Sequence, residues 1–368
     1  MPPWVRAALV VLLLYLFLVG VKLLEGGIKG LGSDYTDALF ESVSNPLAGL
    51  FVGVLATVLV QSSSVTTSTI VGLVAAGVLT VDSAVPMIMG ANIGTTITNT
   101  IVALAYARRG EEFRLAFQAS TMHDFFNVLA VIILLPLELM TGFLSKSAAA
   151  IAEFLAGGDT EVATFNSPIK GGVKWGAARF EEILELLFSN ERVLAVATII
   201  LGVGLIFITL MFITRNMRVL VASRIERSLN AVLAKSGLIG MAVGVVVTMA
   251  VQSSSITTSV LIPLVASGVL MIRNAYPITL GANVGTTVTA MLAALAAGTI
   301  GGLTIALTHL LFNISAIVIL FPWKRIRYLP VTLAGYLADV AMERTALAVG
   351  YVIGVFIVLP LVGILVLS

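Results

Sequence analysis

A polar motif that occurs twice inside an apolar chain constrains this sequence more than any other feature. Residues 61–97 open on Gln61-Ser62-Ser63-Ser64, pass through an apolar run, and close on Gly90-Ala91-Asn92-Ile93-Gly94-Thr95-Thr96-Ile97. Residues 252–288 repeat the pattern, from Gln252-Ser253-Ser254-Ser255 to Gly281-Ala282-Asn283-Val284-Gly285-Thr286-Thr287-Val288. The offset is 191 at the glutamine (252 − 61) and at the asparagine (283 − 92), and 21 of the 37 aligned positions are identical. The chain therefore contains one structural unit twice.

The solvent of that unit is a bilayer. Hydrophobic residues make up 59% of the 368-residue chain and charged residues 11%, where soluble proteins carry roughly 25% charge. The length accommodates seven or more passes of roughly 20 residues and no sizeable soluble domain. The absence of cysteine excludes disulfides, thiolate metal sites and cysteine nucleophiles. A net charge of +2 carries no sign of a nucleic-acid partner, and nothing points to an obligate protein partner or an organic cofactor. The N-terminal apolar run, 5–24, lacks a small-x-small cleavage pattern and reads as a retained span rather than a signal peptide.

The expected fold is an all-α polytopic membrane protein made of two inverted-topology repeats, each with a re-entrant helical hairpin and a broken transmembrane helix. Repeat 1, residues 1–156, contains a span (5–24), a hairpin (46–79), a broken helix (81–107), a span (113–135) and an amphipathic segment. An extracytoplasmic linker, 157–192, follows. Repeat 2, residues 193–343, has the same order: a span (193–214), a hairpin (237–270), a broken helix (275–297), a span (303–321) and an amphipathic segment. Residues 344–368 form an extra C-terminal span. The hairpin arms, about 15 residues each, rise roughly 22 Å as helices, short of the roughly 30 Å of hydrocarbon. Paired glycines in 90–94 are expected to unwind the crossing helix.

Three crossings per repeat invert the second copy relative to the first. Basic residues agree: Arg108, Arg109 and Arg114, then Arg215, Arg218, Arg224, Arg227 and Lys235, then Lys324, Arg325 and Arg327 all fall on the cytoplasmic side, as the positive-inside tendency requires. Inverted repeats with interrupted helices are the architecture of secondary transporters, whose sites lie where the repeats meet.

Unwound backbone survives in hydrocarbon only where it lines a cavity or is buried in protein. Amide groups and helix N-termini after each tetrad, with serine hydroxyls, can hold an oxyanion; glutamine and asparagine carbonyls and hydroxyls can hold a small hard cation. Small polar residues also recur at helix interfaces for packing alone, but unchanged spacing in two copies favours a site. Neither tetrad is charged, so an anion held there needs a travelling counter-charge, which points to cation-coupled anion uptake. Asp124 is a carboxylate inside a span, costly unless it marks an ion path or pairs with a basic residue near the surface. Asn127, three residues on, shares its face. The corresponding position in the second repeat is Leu310, so the pseudo-symmetry breaks there. His123 and His309 are better read as helix-to-helix hydrogen-bonding groups.

The paired tetrads, the run from Gly90 to Leu104 and His123-Asp124-Phe125-Phe126-Asn127 resemble the type II sodium-dependent phosphate cotransporters over about three quarters of the chain. The resemblance implies a sodium-coupled symporter that imports inorganic phosphate across the plasma membrane, a bacterial inner membrane, by alternating access. Sodium is then co-transported cargo, and the chain is not an enzyme. It implies a phosphate site at Ser62, Ser63, Ser64, Ser253, Ser254 and Ser255, to which Asn92, Thr95 and Asn283 are added from the crossing helices. For sodium it implies Gln252, Ser253, Thr286 and Thr289, with Gln61, Asp124 and Asn127 as further ligands, and the presence of Asp124 implies electrogenic transport. The chain departs from animal relatives at Tyr106 and Arg109, which replace a glutamine and an aspartate. Other readings are uptake of another oxyanion such as sulfate, an anion channel, which leaves Asp124 unexplained, and an intramembrane serine hydrolase, against which no Gly-x-Ser-x-Gly elbow occurs.

Overall fold

The computed structural model of the chain describes residues 2–31, 43–156, 168–232 and 237–367, and among these every regular element is helical. In the first half α1 (Pro3–Leu31) is followed by the paired helices α2 (Pro46–Val60) and α3 (Ser63–Ala76), then α4 (Val81–Gly94), α5 (Ile97–Leu104), α6 (Glu111–Thr141) and α7 (Phe143–Leu155). Helix α8 (Pro168–Leu187) lies within the linker. The second half contains α9 (Glu191–Val232), the pair α10 (Gly237–Val251) and α11 (Ser254–Ala266), then α12 (Ile272–Ala297), α13 (Ile300–Leu320) and α14 (Leu329–Glu343). The chain ends on α15 (Thr345–Ile353), a π-helical turn (Gly354–Val358) and α16 (Leu359–Leu367). Expectations for linker residues 157–167 and for Lys235 lie outside the described residues.

Seven helical stretches among the described residues are long and apolar enough to cross a bilayer: Trp4–Leu31, Val81–Leu104, Glu111–Thr141, Glu191–Ile213, Ile272–Ala297, Ile300–Leu320 and Thr345–Leu367. The protein is thus an all-α polytopic membrane protein. The four hairpin arms, at 15, 14, 15 and 13 residues, stay below the roughly 20 that a single crossing needs.

Close backbone approach explains the glycines of the motif. Helix α2 lies along α4, and α10 along α12, as two of the most extensive pairings in the molecule. A methyl group added at Gly90 would collide with the Leu50 carbonyl, and one at Gly281 with the Met241 carbonyl, the same position 191 residues on. Gly94 and Gly285 are likewise closed in by Thr57 and Thr248. These residues let the helices touch and do not unwind them. The expectation of broken crossings is therefore corrected in part: Gly90–Gly94 are helical, the first crossing is divided only at Thr95 and Thr96, and α12 runs unbroken from Ile272 to Ala297. The division at Thr95–Thr96 is slight, since both residues keep right-handed helical dihedrals.

The repeats interlock. The last helix of each half packs on a span of the other, α14 against α6 and α7 against α13. Helix α6 continues through Pro136 to Thr141, six residues beyond the expected end, because prolines are tolerated in membrane helices where neighbours re-satisfy the backbone. The chain then turns at Gly142, and the buried Glu138 carboxylate accepts the amides of Leu144 (2.6 Å) and Ser145 (3.1 Å), capping α7.

Replacing Gly90 by valine is expected to lower stability by about 1–3 kcal/mol or more, the cost of overpacking. Gly350→Ala, where nothing lies within 4 Å, is expected to be neutral or slightly stabilising; thermal melts in detergent compare the two.

Candidate functional site

Both hairpins reverse direction by the same device. Gln61 and Gln252 end α2 and α10 in the left-handed conformation, with φ of 56° and 57°. Each glutamine folds its Nε2 back onto a carbonyl that the helix end has freed, Val58 O and Met249 O, both at 2.6 Å. The next serine is extended and caps the returning helix: Ser62 Oγ accepts Val65 N (3.3 Å) and Ser253 Oγ accepts Ile256 N (3.4 Å). Serine is a preferred N-cap because its short side chain reaches that amide.

With Nε2 engaged, each glutamine presents Oε1 to the crossing helix. Thr98 Oγ1 donates to Gln61 Oε1 at 3.2 Å, and Thr289 Oγ1 donates to Gln252 Oε1 at 2.9 Å. Thr98 and Thr289 are again 191 apart. Thr95 and Thr286 stand one turn earlier, their hydroxyls donating to Ala91 O (2.8 Å) and Ala282 O (3.0 Å). Each tip thus carries an oxygen pair suited to a hard cation.

The two tips meet. Ser64 Oγ makes a long contact, 3.5 Å, with the Gln252 carbonyl. Around them is a cavity of about 280 Å³ lined by Gln61, Ser62, Ser64 and Thr98 of the first half and Gln252, Ser253 and Ser255 of the second, with Val60, Val65 and Ile256. Phe207, Leu210 and Met211 of α9 form its apolar wall. Among the described residues no charged side chain lines it. The N-termini of α3 and α11 open at these tips, so the available positive potential comes from helix dipoles and unpaired amides.

Of the residues expected at the site, Gln61, Ser62, Ser64, Gln252, Ser253 and Ser255 come together. Ser63 and Ser254 are buried in the first turns of their helices. Asn92, Thr95, Asn283 and Thr286 do not line the cavity. The Asn283 side chain and the Asn92 backbone carbonyl belong to a chain of hydrogen bonds between helices, while Asn92 Nδ2 donates to Ile88 O of its own helix at 3.4 Å. Asn283 Nδ2 donates to Asn127 Oδ1 (2.7 Å), which leaves its Oδ1 to accept from His123 Nε2 (2.5 Å), and Asn127 Nδ2 donates to Asn92 O (2.7 Å). His123 therefore ties two helices, as expected of it. His309 makes no such bond; neither ring nitrogen has a partner among the described residues.

Asp124 is 1% exposed and is not the surface ion pair considered as an alternative; Tyr351 Oη donates to its Oδ2 at 3.0 Å. Asn127, though on the same face, contacts a different set of neighbours. Sequence reasoning missed Thr98, which the 191 offset from Thr289 would have found, and the α9 wall and Tyr351, for which there is no motif. It also missed Asn99, which donates to Thr258 Oγ1 (2.5 Å) and accepts from Ser259 Oγ (2.8 Å) of the opposite hairpin.

The sequence matches the Na+/Pi-cotransporter family over residues 16–157 and 210–337. The chain belongs to that family. Among curated relatives it is 35% identical to the rat sodium-dependent phosphate transport protein 2A over 416 aligned residues, which cover 94% of this chain and 65% of the relative. It is also 35% identical to the human sodium-dependent phosphate transport protein 2B over 444, covering 97% of this chain and 64% of the relative. The chain thus spans just under two thirds of the length of these relatives. No solved structure matches it significantly. The family is one of cotransporters, not of enzymes.

Because His123 and Asn127 join elements of both halves, His123→Ala is expected to cost about 1–3 kcal/mol by leaving Asn283 Oδ1 buried without a donor. A melting experiment on the purified protein checks this, with His123→Gln, which retains a donor, expected to recover part of the loss.

Proposed function

We propose that this member of the cotransporter family is a sodium-coupled symporter that imports inorganic phosphate by alternating access, electrogenically, across a bacterial inner membrane. The observation that carries the reading is the convergence of two uncharged hairpin tips on one cavity, each tip offering helix-terminal amides beside a glutamine–threonine oxygen pair. An oxyanion in that cavity meets amides and hydroxyls but no fixed positive charge. Sodium at the tips supplies the missing charge, so each cargo strengthens the binding of the other.

In this reading phosphate is held by the hydroxyls of Ser62, Ser64, Ser253 and Ser255 and by the first-turn backbone of Ser63 and Ser254. Gln252, Ser253, Thr286 and Thr289 take one sodium, and Gln61 offers the equivalent oxygen at the first tip. Asp124 takes a further cation and makes the cycle electrogenic. Asn283 and Asn127, with the Asn92 carbonyl, serve by holding the crossing helices in register behind the cavity, and Thr95 donates within its own helix. Three basic clusters on one side of the membrane support an inverted second repeat, and inversion gives the two tips opposite entry routes, as alternating access requires. The named substrates of the relatives support phosphate over sulfate; helix dipoles alone discriminate the two weakly.

The test is uptake of labelled phosphate into proteoliposomes under a sodium gradient. Sodium-dependent uptake, lost when potassium replaces sodium and not competed by sulfate, is expected; uptake indifferent to sodium overturns the symporter, and full competition by sulfate makes the chain a broader oxyanion carrier. Thr289→Val is expected to raise the half-saturating sodium concentration about tenfold, the loss expected of one oxygen ligand. Asp124→Gly is expected to remove the voltage dependence of whatever uptake remains.

A further inference from the structure

We infer that Tyr351, in the C-terminal span that has no counterpart in either repeat, is a positioning residue for cation binding at Asp124. The inference rests on the proposal that Asp124 is a cation ligand.

The carboxylate is buried and incompletely satisfied. Tyr351 Oη donates to Oδ2 at 3.0 Å, whereas Oδ1 has no hydrogen-bond partner. The Thr96 and Thr100 hydroxyls and the Asp124 amide lie beside the same carboxylate, but the two hydroxyls donate to the Ile93 carbonyl (2.8 Å) and the Thr96 carbonyl (3.2 Å) of their own helix turn. A buried polar atom without a partner calls for an explanation, and an absent ion is one. Here Oδ1 keeps its lone pairs for a cation. The tyrosine bond does not compete for them; it fixes the orientation of the carboxylate so that binding carries no reorientation cost.

The surroundings fit a fixed donor. The Tyr351 ring stands edge-on between Phe117 (centroids 6.4 Å apart, 76°) and Phe356 (6.2 Å, 89°), so it has little rotational freedom. Phe117 lies on α6, the helix of Asp124, two turns before it. Phe356 lies in the π-helical turn Gly354–Val358, a local widening that proteins retain mainly at functional places. Beyond it α16 packs on α2, the first arm of the hairpin, with Gly363 against Phe51. The extra span thus joins the carboxylate to the hairpin arm that ends at Gln61.

The experiment compares Tyr351→Phe, Asp124→Asn and the double variant in proteoliposomes, reading the half-saturating sodium concentration and the phosphate KM separately. Phenylalanine retains the ring contacts and removes only the donor. Tyr351→Phe is expected to raise half-saturating sodium about tenfold, the loss of a single hydrogen bond to a charged group, with a much smaller change in phosphate KM, and to have no further effect in the Asp124→Asn background. For any variant that does not transport, the sodium-induced rise in melting temperature gives the same comparison. An unchanged sodium response in Tyr351→Phe, or the same shift in both backgrounds, overturns the inference. If Asp124→Asn itself leaves the sodium response and voltage dependence at wild-type values, the assignment of Asp124 fails instead.

Discussion

Turning a chain sharply between two helices frees backbone groups at both helix ends, and the structure is arranged to satisfy them at two points. At each hairpin tip a left-handed glutamine closes its own helix with its amide nitrogen, and the following serine caps the next helix. That solution has a by-product. Once Nε2 is bound to the carbonyl three residues back, Oε1 faces the crossing helix and forms an oxygen pair with Thr98 or Thr289. The device that closes the hairpin also makes half of the proposed binding site.

Glycine brings the second half near. Only because Gly90 and Gly281 admit the Leu50 and Met241 carbonyls does each hairpin arm lie close enough for its glutamine to reach the crossing threonine. Around this shared scaffold the two copies diverge. Asn99 joins its helix to the opposite hairpin, while Ala290 at the matching position offers no polar group; Asp124 has Tyr351 as a partner, while its counterpart is Leu310. Thr57 Oγ1 and Ser68 Oγ have no partners, whereas their equivalents Thr248 and Ser259 do.

Much of this was legible from residue order. The 191-residue offset marked the two hairpins, arm length kept them distinct from full spans, and Gln-Ser-Ser-Ser located both tips. What failed did so for a physical reason. Glycine weakens isolated helices, and paired glycines therefore suggested unwinding at 90–94 and 281–285; buried between two helices they serve close packing, and α12 remains continuous. Asn92 and Asn283 read as ligands from the chemistry of their side-chain amides; in the structure they stand behind the cavity, Asn283 bonded to Asn127 of the other half and Asn92 to Ile88 O of its own helix. Tyr351 and the α9 wall come from segments with ordinary apolar patterns, and only tertiary packing brings them to Asp124 and the cavity.

The central claim is that the two tips form one site rather than two. The chain has no native cysteine, so Val65→Cys and Ile256→Cys, which line the cavity from opposite halves, can each carry the sole thiol. With sodium present, phosphate is expected to slow thiol labelling at both positions with the same half-protecting concentration. Protection at only one of them, or at clearly different concentrations, would contradict a shared site.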